Sequence, residues 1–302
     1  MVLARVAPAA VDSEFESLRP LLFSVAYRML GIAGEAEDVV QDAYLRYSAV
    51  PREEIKELKP YLLTVVTRLC MDQLKSARVR REQYIGPWLP EPMPGHVGVS
   101  READNPEAAV DLHESISLAF LRLLERLSPA ERAVFLLHDI FSYGHDEVAG
   151  IVGRSEAACR QLLSRAKKQI SAGRPRFKPS PAERQRLTEL FVAAATKGEL
   201  APLIEVLKPD AVFYSDGGGK VAAARNPIIG SDRVARLIRA LIAKTPEMSA
   251  VLAEVNAGPA VLLYSRKTFL AVIALEFEDG LVSEVMAVIN PDKLTHFAPI
   301  PG

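Results

Sequence analysis

The chain has 302 residues, 49% of them hydrophobic and 25% charged, with a formal net charge of −1. That length allows two or three domains with their own cores, and the composition excludes a disordered or fibrous chain. The near-neutral balance argues against tight, indiscriminate DNA binding by the whole molecule, so any nucleic-acid surface must be a local concentration of cations.

Residues 12–83 are almost wholly helical in pattern, with long 3.6-period apolar spacing. Within them, Ala36 to Leu45 groups its acids on one face while Val39, Val40, Ala43 and Tyr44 face inward. The next long helix, Tyr61 to Arg81, carries Arg68, Lys75, Arg78, Arg80 and Arg81, with Leu62, Val65, Val66, Leu69 and Leu74 as a core stripe. Taken alone, each is equally well a solvated helix of a bundle. Residues 84–106 contain five prolines and several glycines and read as an extended linker, which also holds the single tryptophan, Trp88. A large aromatic side chain in such a stretch is best used where it can dock.

Residues 107–173 return to helix. Glu107 to Leu127 forms one, and Ser128-Pro129-Ala130-Glu131 opens another with an N-cap, a proline at N1 and a capping-box glutamate. Asp146 to Val152 reads as a short helix, Gly153-Arg154 as a tight turn and Ser155 as the N-cap of a helix reaching Ile170. That last helix separates Ala158, Cys159, Leu162, Leu163, Ala166 and Ile170 from Arg160, Gln161, Ser164, Arg165, Lys167 and Lys168. From Arg154 to Lys178 there are eight basic residues against one acid. Helix, tight turn and a second helix with a cationic face is the helix-turn-helix layout, whose second helix enters the major groove. A solvated amphipathic helix is the competing reading, but turn, cap and charge segregation together favour DNA contact.

Arg174 to Pro181 is a second, basic linker. Beyond it the pattern becomes α+β: helices near 181–197 and 199–207, a strand at Ala211 to Ser215, a glycine-rich loop and a helix near 230–244. Strands follow near 248–256, 259–265, 268–276 and 281–289, a meander with turns at Ala257-Gly258-Pro259 and Glu278-Asp279-Gly280. Gly217, Gly218 and Gly219 followed by Lys220 lack P-loop spacing, so a turn packed on another domain is preferred to nucleotide binding. Cys70 and Cys159 form no metal-spaced pair and read as buried thiols of a reducing cytosol. The histidines His96, His113, His138, His145 and His296 are scattered as well, so no metal and no cofactor are expected. No signal peptide is evident and no apolar run approaches the ~20 residues that span a bilayer, so the chain is expected to be cytoplasmic, without a membrane partner.

In combination these segments resemble the extracytoplasmic-function class of the sigma-70 family, the promoter-recognition subunits of bacterial RNA polymerase. The resemblance rests on Ala36-Glu37-Asp38-Val39-Val40-Gln41-Asp42 and on Leu127-Ser128-Pro129-Ala130-Glu131-Arg132. It implies that 12–83 is a region-2 domain for core binding, −10 recognition and melting, and that 107–173 is a region-4 domain for the −35 element. Glu37, Asp38, Gln41 and Asp42 then match the surface that meets the beta and beta-prime subunits of core RNA polymerase. Ala49 to Lys59 corresponds to the loop that captures a flipped base, and Arg68, Lys75, Arg78 and Arg80 to groups that hold the opened strand of promoter DNA. Many members have Asn after the arginine at position 68; here it is Leu69, so no −10 base preference carries over. Arg154, Arg160, Gln161, Ser164, Arg165 and Lys168 match positions that read the −35 duplex.

Tyr84-Ile85-Gly86-Pro87-Trp88-Leu89-Pro90-Glu91-Pro92 further resembles the branch of this class with a SnoaL-like C-terminal extension, as do Asp216-Gly217-Gly218-Gly219-Lys220 and Asn290-Pro291-Asp292-Lys293-Leu294. That implies two all-α domains, a linker at 84–106 and an α+β SnoaL-like cone at 178–302, which acts as a fused regulator and replaces a separate anti-sigma factor. Trp88, Leu89, Pro90, Asp216, Gly217, Gly218, Gly219, Lys220, Asn290, Pro291, Asp292 and Lys293 are the expected interdomain residues, with Trp88 docked on the extension. The SnoaL-like fold also hosts isomerases with an Asp base in an apolar cone. By that analogy Asp216 or Tyr214 lines a cavity, although the expectation is a non-enzyme. The alternative is a DNA-binding regulator with a small-ligand-sensing C-terminal domain; an enzyme with a DNA-binding appendage ranks third. The acidic helix at 36–45 favours the sigma factor, which alone needs a polymerase-binding face.

Overall fold

Apolar residues at helical spacing assemble the first half of the chain. The computed structural model describes residues 13–95, 116–171 and 179–297, with the side chains of 77–82 outside that description. Helix α1 (Ser13–Leu30) buries Phe15, Leu22, Val25, Ala26, Met29 and Leu30. Gly31 ends it in the left-handed region, with φ at +73°. Helix α2 (Ala33–Ser48) buries Ala36, Val39, Val40 and Ala43. Helix α3 (Leu58–Glu82) buries Leu62, Val66, Cys70 and Leu74, with Val65 and Leu69 only half-buried.

Helix α4 is shorter than the sequence suggests, running over Leu118–Leu124. Ser117 caps it by accepting the Phe120 N–H at 3.2 Å. Its end is drawn into tight i→i+3 bonds from Glu125, Arg126 and Leu127 to Arg122, Leu123 and Leu124. Residues 107–115, where the expected helix starts, lie outside the described residues. Helix α5 (Pro129–Phe135) opens with the full capping box, in which Ser128 Oγ accepts the Glu131 N–H and the Glu131 carboxylate accepts the Ser128 N–H. A π-helical turn at Leu136–Ile140 leads to α6 (His145–Val152) and α7 (Glu156–Ser171).

The two helical portions share one continuous core. Leu22, Met29 and Leu62 from the first belong to the same buried cluster as Phe120, Val134 and Leu163 from the second. Arg132 stitches them: its guanidinium is buried, donates to Met29 O at 2.6 Å and pairs with Glu125 at 2.8 Å. Burial pulls its pKa down to about 9.

The last third comprises α8 (Pro181–Thr196), α9 (Leu200–Val206), β1 (Leu207–Asp216), β2 (Ile228–Ile229) and α10 (Ser231–Lys244), followed by β3 (Met248–Val255), β4 (Gly258–Ser265), β5 (Thr268–Glu278) and β6 (Leu281–Val288). Strand order is β2-β1-β6-β5-β4-β3. Strands β3 to β6 are the expected antiparallel meander, but β1 runs parallel to β6, with Phe213 opposite Val285. The chain leaves β1, crosses through α10 to the far edge and meanders back, and a parallel neighbour requires such a crossover. The three hairpin turns place Asn256-Ala257, Arg266-Lys267 and Asp279-Gly280 at positive φ, the geometry that matches strand twist. The first therefore precedes the expected turn, and Gly258 and Pro259 belong to β4.

Both faces of the central strands are buried, sorted by the period of two except where a bulge in β6 between Val282 and Glu284 shifts it by one residue. Ala271, Ile273, Leu275 and Phe277 of β5 and Val282, Val285 and Ala287 of β6 pack under the helices of this domain. Val272, Met286 and Val288 face the other way, onto Leu89 of the linker and Leu118 and Ala119 of α4. The sheet is thus held against the helical half of the molecule. Among the described residues no helix is long and apolar enough to cross a membrane.

Candidate functional site

Gly144 N–H donates to Glu147 at 2.8 Å at the start of α6. Gly153 ends that helix at φ 72°, ψ 41°, where any side chain is strained, and returns its N–H to Ala149 O. Ser155 then caps α7 by accepting the Ala158 N–H at 3.3 Å. Cys159, Leu163, Ala166 and Ile170 are buried, which forces Arg160, Gln161, Ser164, Arg165 and Lys168 outward, and Arg154 in the turn is exposed with them. Arg160 pairs with Glu156 at 2.8 Å one helical turn away, but both are more than half or nearly half exposed, so the pair yields easily to a better acceptor. Lys167 is tied to Asp139 at 3.0 Å. Arg and Gln side chains on a free helix face are suited to bidentate bonds with base edges.

On α2, Glu37, Asp38, Gln41 and Asp42 are all exposed, and Leu45 stands beside them with 57% of its surface open. Arg19 of α1 reaches Glu37 at 2.9 Å. The result is an acidic helix face flanked by an uncovered leucine, suited to a basic partner with an apolar contact.

The groups expected to hold unpaired DNA are placed differently. Arg68 is turned toward α6, its Nε donating to Ile151 O at 3.3 Å, a cation at a helix C-terminus. Lys59, in the first turn of α3, lies 5.7 Å from the Tyr143 ring, so α3 packs against the helix-turn-helix and the segment leading into it. Lys75 is exposed and pairs with Asp72 at 2.7 Å. Arg78 and Arg80 fall on α3, with side chains outside the described residues. In the 49–59 segment Arg52 is tied to Glu14, and Ile55 and Leu58 drop into the core.

The linker lies across all these parts. Asp216, at the end of β1, is fully buried. Its Oδ2 accepts the Leu89 N–H at 2.8 Å and the Lys293 ammonium at 2.7 Å. Its Oδ1 accepts the Tyr84 hydroxyl at 2.5 Å and the Gly218 N–H at 3.1 Å. Lys293 also donates to Leu89 O at 2.5 Å and sits 4.3 Å from the Trp88 ring centroid and 5.2 Å from that of Tyr84. Asn290 donates to the Tyr84 oxygen at 3.1 Å and caps the turn at Pro291–Lys293. Burial, with the Asp216 carboxylate beside it, raises the Tyr84 pKa well above the usual phenol range, so its hydroxyl stays a donor.

Further along, Glu91 ties the linker to the helical half. Its N–H donates to Gly31 O at 2.8 Å, and its Oε2 accepts the Ala33 N–H at 2.7 Å, capping α2, whose own N-cap residue Ile32 provides no side-chain bond. His296 Nε2 approaches its other oxygen at 3.2 Å. Asn256, in the first hairpin turn, donates to the Tyr27 hydroxyl and to Ile116 O, both at 2.7 Å, and accepts the Met93 N–H at 2.8 Å. One buried amide thus joins α1, the linker, the segment before α4 and the sheet.

Comparison with known proteins adds family. A model described as Sigma-70 region 2 matches residues 15–80, and one described as Sigma-70, region 4 matches 117–170. The ECF RNA polymerase sigma factor SigJ of Mycobacterium tuberculosis is 40% identical over 296 residues, covering 94% of this chain and 93% of SigJ. This chain is an ECF sigma factor. A probable ECF sigma factor of the same organism, SigI, is 34% identical over 287 residues, covering 94% of each. The crystal structure of SigJ superimposes with a TM-score of 0.74 at 36% identity, over 94% of this chain and 98% of that one.

In this sigma factor the structure brings Trp88, Leu89, Asp216, Gly218, Asn290 and Lys293 together, and places Pro90 near Gly31 of the helical half. Lys220 and Asp292 form an exposed pair at the rim. Trp88 touches the C-terminal domain through Lys293, and its ring also lies over Gly31 of the helical half. One expectation is corrected. Asp216 and Tyr214 do not line the cavity of the C-terminal domain: Asp216 faces the linker, and Tyr214 stacks with the Arg122 guanidinium 4.2 Å away, next to the Arg122–Glu284 ion pair. The reason is strand alternation, which sends Ser215 inward and its two neighbours outward. Sequence reasoning passed over Tyr84, Glu91 and Asn256 as site residues. Tyr84 and Glu91 stood inside the recognised linker motif; Asn256 gave no signal beyond that of an ordinary turn residue.

Proposed function

We propose that this ECF sigma factor is restrained by its own C-terminal domain, which holds the linker and thereby keeps the two DNA-binding portions packed together. As a sigma factor it acts with core RNA polymerase and promoter DNA; the polymerase performs the chemistry and this chain supplies recognition and opening. Glu37, Asp38, Gln41 and Asp42 dock on the polymerase. Arg154, Arg160, Gln161, Ser164, Arg165 and Lys168 read the −35 duplex, and Arg68, Lys75, Arg78 and Arg80 hold the opened −10 strand. The first two surfaces are exposed in the closed chain, whereas Arg68 is directed at the Ile151 carbonyl of α6, so the chain can meet polymerase before it opens and opening frees Arg68 for unpaired DNA. The restraint is built in and takes the place of a separate anti-sigma factor. What carries the reading is the buried Asp216 carboxylate, shared by Leu89, Tyr84 and Lys293.

The test combines two measurements. Asp38→Arg and Asp42→Arg are expected to lower retention of the chain on immobilised core polymerase, and undiminished retention would contradict the docking face. Deleting 290–302, and separately 178–302, is expected to raise promoter opening in reconstituted transcription; unchanged activity in both would remove the regulatory part.

A further inference from the structure

A cavity of about 450 Å³ enters the C-terminal domain between α8, α10 and the inner face of the sheet. Among the described residues that line it, none has an ionisable side chain. The Thr196 and Thr245 hydroxyls on its wall donate to Val192 O and Leu241 O of their own helices, both at 2.8 Å, and Ser215 Oγ accepts the Ala224 N–H at 2.9 Å. Such a wall cannot compensate a desolvated charge and offers no general base. Its volume is roughly three times the ~150 Å³ that accommodates benzene, and lies inside the range of small-molecule sites. Leu241 and Leu270 line it and are partly open to solvent, which leaves an apolar way in.

The cavity wall continues into the linker contacts. Ser215 and Ile289 line it, and the next residues in the chain are Asp216 and Asn290; the Ile289 N–H also donates to Asp216 O at 2.9 Å. Ala224 lines it as well, and its carbonyl lies 3.4 Å from where a Cβ on Gly86 would stand, so this stretch abuts the linker on its other side. We propose that the cavity binds a neutral, largely hydrocarbon small molecule and that its occupation tightens the hold of the C-terminal domain on the linker. This rests on the regulatory reading above. A ligand shifts an equilibrium only toward the state it fits better, and the cavity is formed here together with the closed linker contacts, so a molecule shaped to it favours closure.

The neutral apolar fluorophore N-phenyl-1-naphthylamine, titrated into the full chain, is the probe. Saturable binding at one site per chain is expected. Ala250→Phe on β3 and Leu237→Phe on α10 should each weaken it at least about tenfold by filling the cavity from opposite walls, and a folding defect in one leaves the other to decide. At ten times its Kd the probe should slow amide hydrogen exchange in residues 84–91 by up to about tenfold, the factor by which the bound state gains. Binding that never saturates, or that ignores both substitutions, overturns the site. Saturable binding with exchange at 84–91 unchanged or faster overturns the coupling. If the probe binds and is blocked by Ala250→Phe while deletion of 178–302 leaves transcription unchanged, the regulatory reading fails and the site stands.

Discussion

Replacing Asp216 with Asn removes one charge and almost no volume, which makes it a sensitive probe of the linker contacts. The carboxylate is fully buried and Lys293 retains only 4% exposure. In Asp216→Asn the Lys293 ammonium keeps the Leu89 carbonyl and two aromatic faces but loses its counter-charge. Stranding one partner of a buried pair costs about 3–5 kcal/mol. At 1.4 kcal/mol per tenfold, that raises the population with 84–91 released by between roughly 100- and 4,000-fold. Hydrogen exchange at the Leu89 amide reads this directly, because its N–H donates to the carboxylate. Lys293→Met should open the segment less, since Asp216 keeps its bonds from Leu89, Tyr84 and Gly218. The double variant should fall short of the sum by about 0.5–3 kcal/mol. Exchange in Asp216→Asn that matches the wild type, or strictly additive single variants, would refute the argument.

Glu91 gives a pH dependence. Burial raises its pKa, opposed by the Ala33 N–H and by His296 and Lys293 nearby. The folded chain then binds this proton more tightly than the unfolded chain, so the contribution is complete below about 4.3 and declines as pH rises through the folded value. The Tm of Glu91→Gln relative to wild type should therefore climb as pH rises above the ordinary carboxylate range; a flat or falling difference would contradict the assignment. Gly31→Ala should cost about 1–3 kcal/mol in thermal or denaturant unfolding, because φ is +73° and the added Cβ would stand 2.8 Å from the rigid Trp88 ring. An unchanged midpoint would mean that Trp88 does not press on the helical half. Gln161→Ala should narrow the preference of the reconstituted holoenzyme between cognate and altered −35 sequences by about 1–3 kcal/mol, measured by competition binding; an unaltered preference would move base reading elsewhere on α7.

What could be read from the sequence was local. Ser128 with Glu131, and Gly153 with Ser155, decide helix ends within four residues, so the helix-turn-helix and its outward face are legible in the sequence alone. The motif around Trp88 and Leu89 marked the right segment. The missing parts depend on chain far away. Nothing near Arg68 indicates that its partner is Ile151, 83 positions on. Asn256 has the residue type of a common turn, and its four contacts come from Tyr27, Met93 and Ile116. The parallel pairing of β1 with β6 is set by the crossover through α10, not by either strand. The role of Asp216 turned on strand register, where one step separates a cavity residue from a linker partner.

The central claim is that the free chain keeps its two DNA-binding portions together and releases them on polymerase. Spin labels at Ser17→Cys on α1 and Ser171→Cys at the end of α7 sit on exposed positions, while Cys70 and Cys159 are fully buried. Pulsed dipolar spectroscopy should give one narrow distance for the free protein, a longer one on core polymerase, and both in Asp216→Asn without polymerase. A single unchanged distance in all three samples, or a broad distribution in the free wild-type chain, would contradict the account.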